Sequence, residues 1–428
     1  SFGLYDFSNI RKENIMDVVI VANFSSDFSG KYNGRFPYLA KMLLGDNDVE
    51  IITSSFDHGT KKQKDSTITY GSCKITLIFE PGYKKNVDIQ RLRSHRILGK
   101  NLRKYLSARK KPDLIYCAVP SLDFADAAMH YAKINKIPFI VDIQDLWPEA
   151  FKMVFSIPVI SDLIFAPMER QANRIYSNAD HIVAVSQTYA NRGLKVNSRA
   201  KATVVYLGTE KEKFDKYRET LSNKSIYQEL KSDFEANDGK IRIGYVGSLA
   251  YSYDLSTVFE AMRKLASDIL NKVQFVVIGD GLKREQFEKE ACGLPVLFTG
   301  RMPYPDMVWF LSHCDIAVNP IHRGSAGSII NKVGDYAMAG LPVINTQECE
   351  EYRNLLIQYQ AGINCECENS TEIAKALEKL VLDSDLRKQM AQNSRKIGEE
   401  FFDRNNTYRK IIDIIEKTFL TETADNLR

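Results

Sequence analysis

Lys332 and Asp335 stand three residues apart in the run Ser325-Ala-Gly-Ser-Ile-Ile-Asn-Lys-Val-Gly-Asp-Tyr-Ala-Met-Ala-Gly340. On a helix that spacing puts both side chains on one face. The cation suits a phosphate and the carboxylate suits ribose hydroxyls, although an ordinary surface ion pair fits the same spacing. Ser325 to Ser328 form a small-residue loop before that helix, and the free N–H groups of a helix start attract anions. Gly340 ends the helix ahead of Leu341-Pro-Val-Ile. Gly247-Ser248-Leu249 follows an apolar run and would let backbone N–H groups approach a phosphate. Gly244 to Gly247 is only a G-x-x-G string, not the dinucleotide fingerprint G-x-G-x-x-G. Gly279-Asp-Gly281 reads equally as a plain strand-to-helix turn.

The first half carries carboxylates instead. In Asp142-Ile-Gln-Asp145-Leu-Trp-Pro-Glu149, Asp145 follows a strand-like run. It is the first candidate to assist deprotonation of an attacking hydroxyl, with Glu149 second. The competing reading makes Asp145 a helix N-cap with Pro148 in the first turn. Residues 84–111 hold eleven Lys and Arg against Asp88 alone. Arg91, Arg93, Arg96, Lys100, Arg103 and Lys104 lie in the stretch expected to be helical. Such a run is either a solvated face or a surface for anionic lipid headgroups and a lipid-pyrophosphate acceptor. No nucleic-acid recognition motif accompanies it, so no nucleic-acid partner is expected. The apolar stretch 151–168, broken by Pro158 and Pro167, suits the bilayer interface, an acceptor lipid or the core. No metal is expected: Asp46-Asn-Asp48 and Asp383-Ser-Asp385 resemble D-x-D only as strings, and the six His residues are scattered. The seven Cys residues match no zinc spacing and read as reduced thiols, with Cys117 and Cys314 in apolar, core-like runs.

These groups need strands and helices to position them, and the chain supplies alternating signals twice. Asp17–Ala22, Val49–Thr53, Leu114–Val119, Pro138–Ile143, His181–Val185 and Thr203–Tyr206 read as buried strands with helical stretches between most of them. The series restarts with Ile241–Val246 and continues through Val273–Ile278, Ile316–Val318 and Val343-Ile344. Two βα series predict an α/β protein with two Rossmann-like, doubly wound parallel sheets, ligands at their carboxyl edges and an active site in a cleft between them. The polar stretch from about 208 to 240 reads as the linker. A chain of 428 residues suits two domains. Residues 1–200 hold 28 Lys+Arg against 20 Asp+Glu, the remainder 30 against 34, so the basic half is expected to face something anionic. No apolar run reaches the ~20 residues of a membrane span, and the first residues lack the apolar core of a signal peptide. A cytoplasmic protein is expected.

Val277-Ile-Gly-Asp-Gly-Leu-Lys-Arg-Glu285, Phe298-Thr-Gly-Arg301, Cys314-Asp-Ile-Ala-Val-Asn-Pro320 and Lys332-Val-Gly-Asp-Tyr-Ala-Met-Ala-Gly-Leu-Pro-Val-Ile344 occur in that order. This resembles the carboxyl-terminal domain of the retaining GT-B glycosyltransferases of family 4. Asp145-Leu-Trp-Pro-Glu149 and Ala184-Val-Ser186 resemble its bacterial capsule, O-antigen and colanic-acid subgroup. The resemblance implies a GT-B fold with an acceptor-binding domain over 1–207, a nucleotide-sugar domain over 208–400, and a helix over 401–428 crossing back to the first domain. It implies transfer of a hexosyl or N-acetylhexosaminyl unit with retention, from a UDP-sugar to a lipid-linked or saccharide acceptor. The protein would act without cofactor or metal, peripherally at the inner face of the membrane, in cell-surface polysaccharide synthesis. Asp335 would bind the ribose, Lys332 the pyrophosphate, and the Gly327-Ser328-Ile329 backbone the sugar and β-phosphate. Gly300-Arg301 would lie beside the base, Gly247-Ser248 near the phosphates, and Gly30 would close over them. The sequence departs from the pattern in four ways. Gly327 replaces the first glutamate of E-x7-E and Asp335 the second. The two cations expected after Gly247 fall near Ser248 and Tyr253, with Lys332, Arg301 or Arg323 as substitutes. No histidine stands near Gln144. A UDP-sugar epimerase of related fold, and a non-catalytic nucleotide-binding partner of another transferase, are the alternative readings.

Overall fold

The computed structural model describes residues 15–25, 28, 34–65, 71–86, 88–152, 158–221, 226–236, 239–325 and 327–426. The chain divides into two compact units. One comprises the described residues through Val205 together with those from Lys410 on, and the other spans Tyr206–Arg409.

The first unit is built on strands β1 (Met16–Val21), β2 (Asn47–Ser54), β5 (Lys74–Ile78), β6 (Leu114–Val119), β7 (Phe139–Ile143), β8 (His181–Ala184) and β9 (Lys201–Val204), with β3 (Phe56–Asp57) and β4 (Lys62–Gln63) forming a small antiparallel pair. The main sheet runs β5-β2-β1-β6-β7-β8-β9, all parallel. Chain order reverses between β1 and β6, which is the switch point where doubly wound sheets bind ligands. Every residue of β6 and β7 is buried, as a strand covered on both faces requires. The covering helices are α1 (Arg35–Leu43), α2 (Ile89–Ala108), α3 (Leu122–Asn135), α4 (Glu149–Lys152), α5 (Pro158–Ser177) and α6 (Gln187–Leu194). Helices α2 and α3 approach closely at Gly99, where a methyl group would stand 2.6 Å from the Asp123 carbonyl oxygen. The buried Asp142 carboxylate accepts from Arg35 Nε at 2.8 Å, Tyr116 Oη at 2.7 Å and Gln144 Nε2 at 2.6 Å, which makes it a framework group. The terminal helix Arg409–Asn426 falls in this unit from Lys410 on, with Ile411 and Ile415 buried.

The second unit repeats the plan with β10 (Ile241–Val246), β11 (Val273–Ile278), β12 (Val296–Gly300), β13 (Ile316–Asn319), β14 (Val343–Asn345) and β15 (Gly362–Asn364) in the order β12-β11-β10-β13-β14-β15, again parallel. Its switch point lies between β10 and β13. The turns after β10 and β11 meet so tightly that a methyl group on Gly279, at φ 151°, would fall 1.8 Å from the Gly247 carbonyl oxygen. This is two α/β sheets of the Rossmann-like kind. The stretch from 208 to 240 is not a bare linker. It contains the helices Lys211–Glu219 and Gln228–Ala236, whose Phe214 and Phe234 enter the core of the second unit with Leu221. Single aromatic residues among charges carry no helical period, so this packing was hidden in the sequence.

Candidate active site

The residues predicted to hold a nucleotide gather at the carboxyl edge of the second sheet, apart from Gly30, which lies outside the described residues. Lys332 opens a short helix, Lys332–Met338. Its side chain is buried, and its ammonium lies 4.1 Å from the centre of the Tyr245 ring and 3.9 Å from that of Tyr253. It has no hydrogen-bond partner among the described residues. Burial alone pushes its pKa well below the ordinary lysine value. Gly247, at φ 148°, is adjacent: a methyl group there would stand 2.9 Å from Lys332 Nζ and 3.1 Å from Tyr245 Oη.

Asp335 points elsewhere. Tyr304 Oη donates to it at 2.8 Å, and Thr209 Oγ1 lies 2.6 Å from Tyr304 Oη. Burial raises the Asp335 pKa to about 6, against the lowering effects of the Tyr304 hydrogen bond and of Arg404. Lys332 and Asp335 therefore do not form the ion pair that their spacing also allowed. One packs toward β10 and the other toward the helix Tyr304–Ser312.

The turn after β10 is more occupied than its sequence suggests. The Gly247 N–H donates to Ile278 O at 3.0 Å and the Leu249 N–H to Asp280 O at 2.9 Å. Of the three amides expected to face a phosphate, only that of Ser248 lacks a partner among the described residues. Tyr245 Oη secures the turn by donating to Ser248 O at 2.8 Å.

The loop before Lys332 is tied down from behind. Gln347 Nε2 donates to Ser328 O at 2.6 Å. Gln347 sits against a buried row of amides: Asn319 Nδ2 donates to Asn345 Oδ1 at 2.9 Å, and Asn345 Nδ2 to Asn364 Oδ1 at 2.9 Å. Ile329 is buried, whereas Gly327 is exposed with open space where a side chain would begin. Arg301 is exposed on the segment after β12, and Tyr227 Oη donates to its carbonyl at 3.0 Å. Arg323 is exposed and paired with Glu348 at 3.0 Å. Of the three substitute cations, Lys332 is therefore the one beside Gly247.

In the first unit Asp145 follows β7 by two residues. Its carboxylate accepts from the Leu146 N–H at 2.9 Å and from Tyr189 Oη at 3.3 Å. It ties its own turn, and the next helix, α4, begins only at Glu149, so the N-cap reading does not hold. Burial raises its pKa, against the lowering effect of these hydrogen bonds. The Glu149 carboxylate is engaged by Arg192 Nε.

The basic run divides between two faces. Arg91 is not a surface cation. It is 7% exposed, its guanidinium lies 4.6 Å from the Trp147 ring centre and 5.3 Å from that of Tyr83, and Nη1 donates to Asn86 O at 2.6 Å. It falls on the same side of α2 as Leu98 and Leu102, so helical phase turns it inward. Arg109 is likewise committed, to Asp17 and Glu50. Arg93, Arg96, Lys100, Arg103 and Lys104 form the exposed face of α2, with Arg103 3.7 Å from Asp126.

Two family models match the chain side by side: the glycosyltransferase family 4 model over residues 38–213 and the glycosyl transferases group 1 model over residues 227–397. The chain is of the group 1, family 4 glycosyltransferase type. An uncharacterized glycosyltransferase of Methanocaldococcus jannaschii is 23% identical over 248 residues, 57% of this chain and 60% of that protein. The match thus spans about three fifths of that relative. Anabaena HepE in complex with UDP and glucose superimposes with a TM-score of 0.66 at 14% identity, covering 94% of this chain and 99% of the other. WaaG, a glycosyltransferase involved in lipopolysaccharide biosynthesis, gives 0.65 at 16% identity, covering 93% and 99%. These likenesses establish the GT-B fold.

Within this family 4-type chain, sequence reasoning missed Tyr245, Tyr253 and Tyr304, which surround the two predicted charges, and Gln347, which anchors their loop. It also missed an aromatic group at the carboxyl edge of the first sheet. There the His95 ring stacks on Trp147 with centres 5.8 Å apart, and Phe24, His58 and Tyr83 adjoin it. Among the described residues, no helix is long and apolar enough to cross a membrane and no group of His, Cys, Asp or Glu is placed to hold a metal ion.

Proposed function

We propose that this protein transfers a hexosyl or N-acetylhexosaminyl unit from a nucleotide-sugar, a UDP-sugar first, to a lipid-linked or saccharide acceptor. Transfer proceeds with retention and without a metal, in the assembly of a cell-surface polysaccharide. The observation that carries this reading is the position of Lys332, whose buried amine lacks a partner among the described residues and lies against the Gly247 turn at the carboxyl edge of the second sheet. Lys332 and the Ser248 N–H meet the diphosphate, Ser328 and Ile329 lie along the sugar and β-phosphate, Asp335 takes the ribose and Arg301 flanks the base. The names of HepE and of other structural neighbours, which carry UDP, UDP-glucose or UDP-2-fluoro glucose, favour uridine.

Chemistry follows from charge. As the bond from sugar to diphosphate breaks, negative charge grows on the leaving phosphate, and a nearby ammonium stabilises it. The leaving phosphate itself helps deprotonate the acceptor hydroxyl on the same face, and Asp145, whose pKa burial raises, serves the acceptor side. The exposed cations of α2 face an anionic membrane surface at the cytoplasmic side, where a lipid-linked acceptor resides.

Calorimetric titration of the purified protein with UDP, GDP, ADP and CDP without metal tests the reading. One nucleotide is expected to bind selectively, and Asp335→Ala is expected to weaken it about 10-fold or more, the loss of one or two hydrogen bonds to a charged group. Absence of binding by all four, or an unchanged affinity in the variant, sinks the assignment. Vesicle co-sedimentation checks the membrane reading: binding should require anionic lipid and fade with salt.

A further inference from the structure

The donor-site reading leaves Lys332 without a counter-ion until substrate arrives, and this has a measurable consequence. Lys332 is 8% exposed, and its terminal nitrogen is buried between two aromatic faces. The side chains around it carry no compensating charge. From β10, Tyr245 donates its hydroxyl to Ser248 O. From the following loop comes the Tyr253 ring. Burial raises the pKa of both phenols, so neither is an anion. From its own helix, Tyr336 donates to Val318 O and accepts from the Val246 N–H, while Asp335 is held by Tyr304. Asp254, beside Tyr253, caps the following helix by accepting from Thr257 and has His322 3.8 Å away on the segment after β13. Ring faces attract a cation, but they do not replace the water it has lost.

We propose that the donor diphosphate is the counter-ion Lys332 lacks, that Tyr245 and Tyr253 are positioning residues for its amine at the Gly247 turn, and that nucleotide binding is therefore coupled to uptake of one proton by Lys332. The inference rests on the donor-site reading above. The balance is simple: the neutral amine takes a proton from solvent buffer and the resulting ammonium pairs with a phosphate oxygen. No bond to the nucleotide breaks. Gly247 matters because its missing side chain leaves the space through which a phosphate oxygen can meet Nζ.

The sign is fixed by the burial. In the free protein the Lys332 pKa lies below the ordinary lysine value, and the diphosphate raises it. Uptake therefore occurs above the free-state value and disappears as pH falls through it, where the amine is already charged.

Titrating UDP into the full chain near pH ~8.5, in buffers of different ionisation enthalpy, measures the linked protons. UDP contributes none there, because its terminal phosphate ionises near ~6. The wild-type protein should take up a substantial fraction of one proton, declining toward zero as the pH is lowered. Lys332→Arg, whose guanidinium is always charged, should bind UDP with no linked proton. Tyr253→Leu should weaken binding about 10-fold, while Tyr253→Phe, which keeps the ring face, should not. UDP binding without proton uptake at any pH, or equal uptake in the arginine variant, overturns the coupling and leaves the donor site standing. If UDP and the other three nucleoside diphosphates all fail to bind, the donor site and this inference fall together.

Discussion

At the scale of single residues, two glycines make opposite predictions. Gly327 stands where the family's first E-x7-E glutamate is expected and has open space around the position of a side chain. Gly327→Glu should therefore change stability by no more than ~0.5 kcal/mol. Under the proposed function it should also tighten use of the donor sugar by several-fold, the worth of one hydrogen bond. Thermal unfolding and donor KM check both. Gly247→Ala should behave in the reverse way. It forces φ 148° on a residue with a Cβ and pushes that atom against Lys332 Nζ. A loss of roughly 1–3 kcal/mol should accompany a marked fall in nucleotide affinity, and an alanine variant as stable as wild type would refute the strain. Lys332 and Asp335 were legible as residues because type and spacing are local properties. Their divergence toward different partners was not, since it depends on Tyr245, Tyr253 and Tyr304, which come from three other segments.

At the scale of elements, the inner strands were readable because a parallel strand covered on both faces must be a continuous apolar run, whereas the edge strands β5, β12 and β15, only partly buried, were not read. The amide row was not readable. Asn319, Asn345 and Asn364 each end a strand, and only the register that pairs Asn319 with Asn345 and Asn345 with Asn364 makes them neighbours. Asn345→Leu should remove the bonds that Asn345 makes to Asn319, Asn364 and the Gln347 backbone and so loosen the hold of Gln347 on Ser328. We expect a cost of about 1–3 kcal/mol per orphaned group and weaker nucleotide binding. Retained affinity in a destabilised variant would separate support of the fold from support of the loop. Helix α2 teaches the same lesson about charge. Eleven cations in residues 84–111 look uniform as a string, yet helical phase assigns Arg91 to a buried aromatic nest and Arg93, Arg96 and Lys100 to solvent.

At the scale of the whole molecule, acid should act first through the two histidines of the first unit. Burial lowers the pKa of His58 to about 4 and of His95 to about 3, helped by Arg91 in each case. Both are neutral when folded, whereas an unfolded histidine titrates near 6.5. The stability they contribute is present above pH 6.5 and is lost as pH falls toward 4, by about 1.4 kcal/mol per pH unit for a fully buried ring. Buried carboxylates with raised pKa, Glu80 and Asp145 among them, oppose this trend. The comparison of wild type with His95→Phe isolates the histidine contribution: the variant should unfold less readily between pH ~6 and ~4, and parallel curves would exclude it. Both sheets could be foreseen from the repeated βα pattern, while the helices packed between residues 208 and 240 could not. One feature of chain order also governs how the protein comes into being. The first unit draws on residues both before 206 and after 409, so a ribosome must synthesise about 200 intervening residues before it can complete that unit. At ~5–20 residues per second, the nascent first sheet waits roughly 10–40 s for the helix that contributes Ile411 and Ile415. During that interval the apolar surface against which Ile411 and Ile415 pack stays uncovered, and such exposed surface is what chaperones bind.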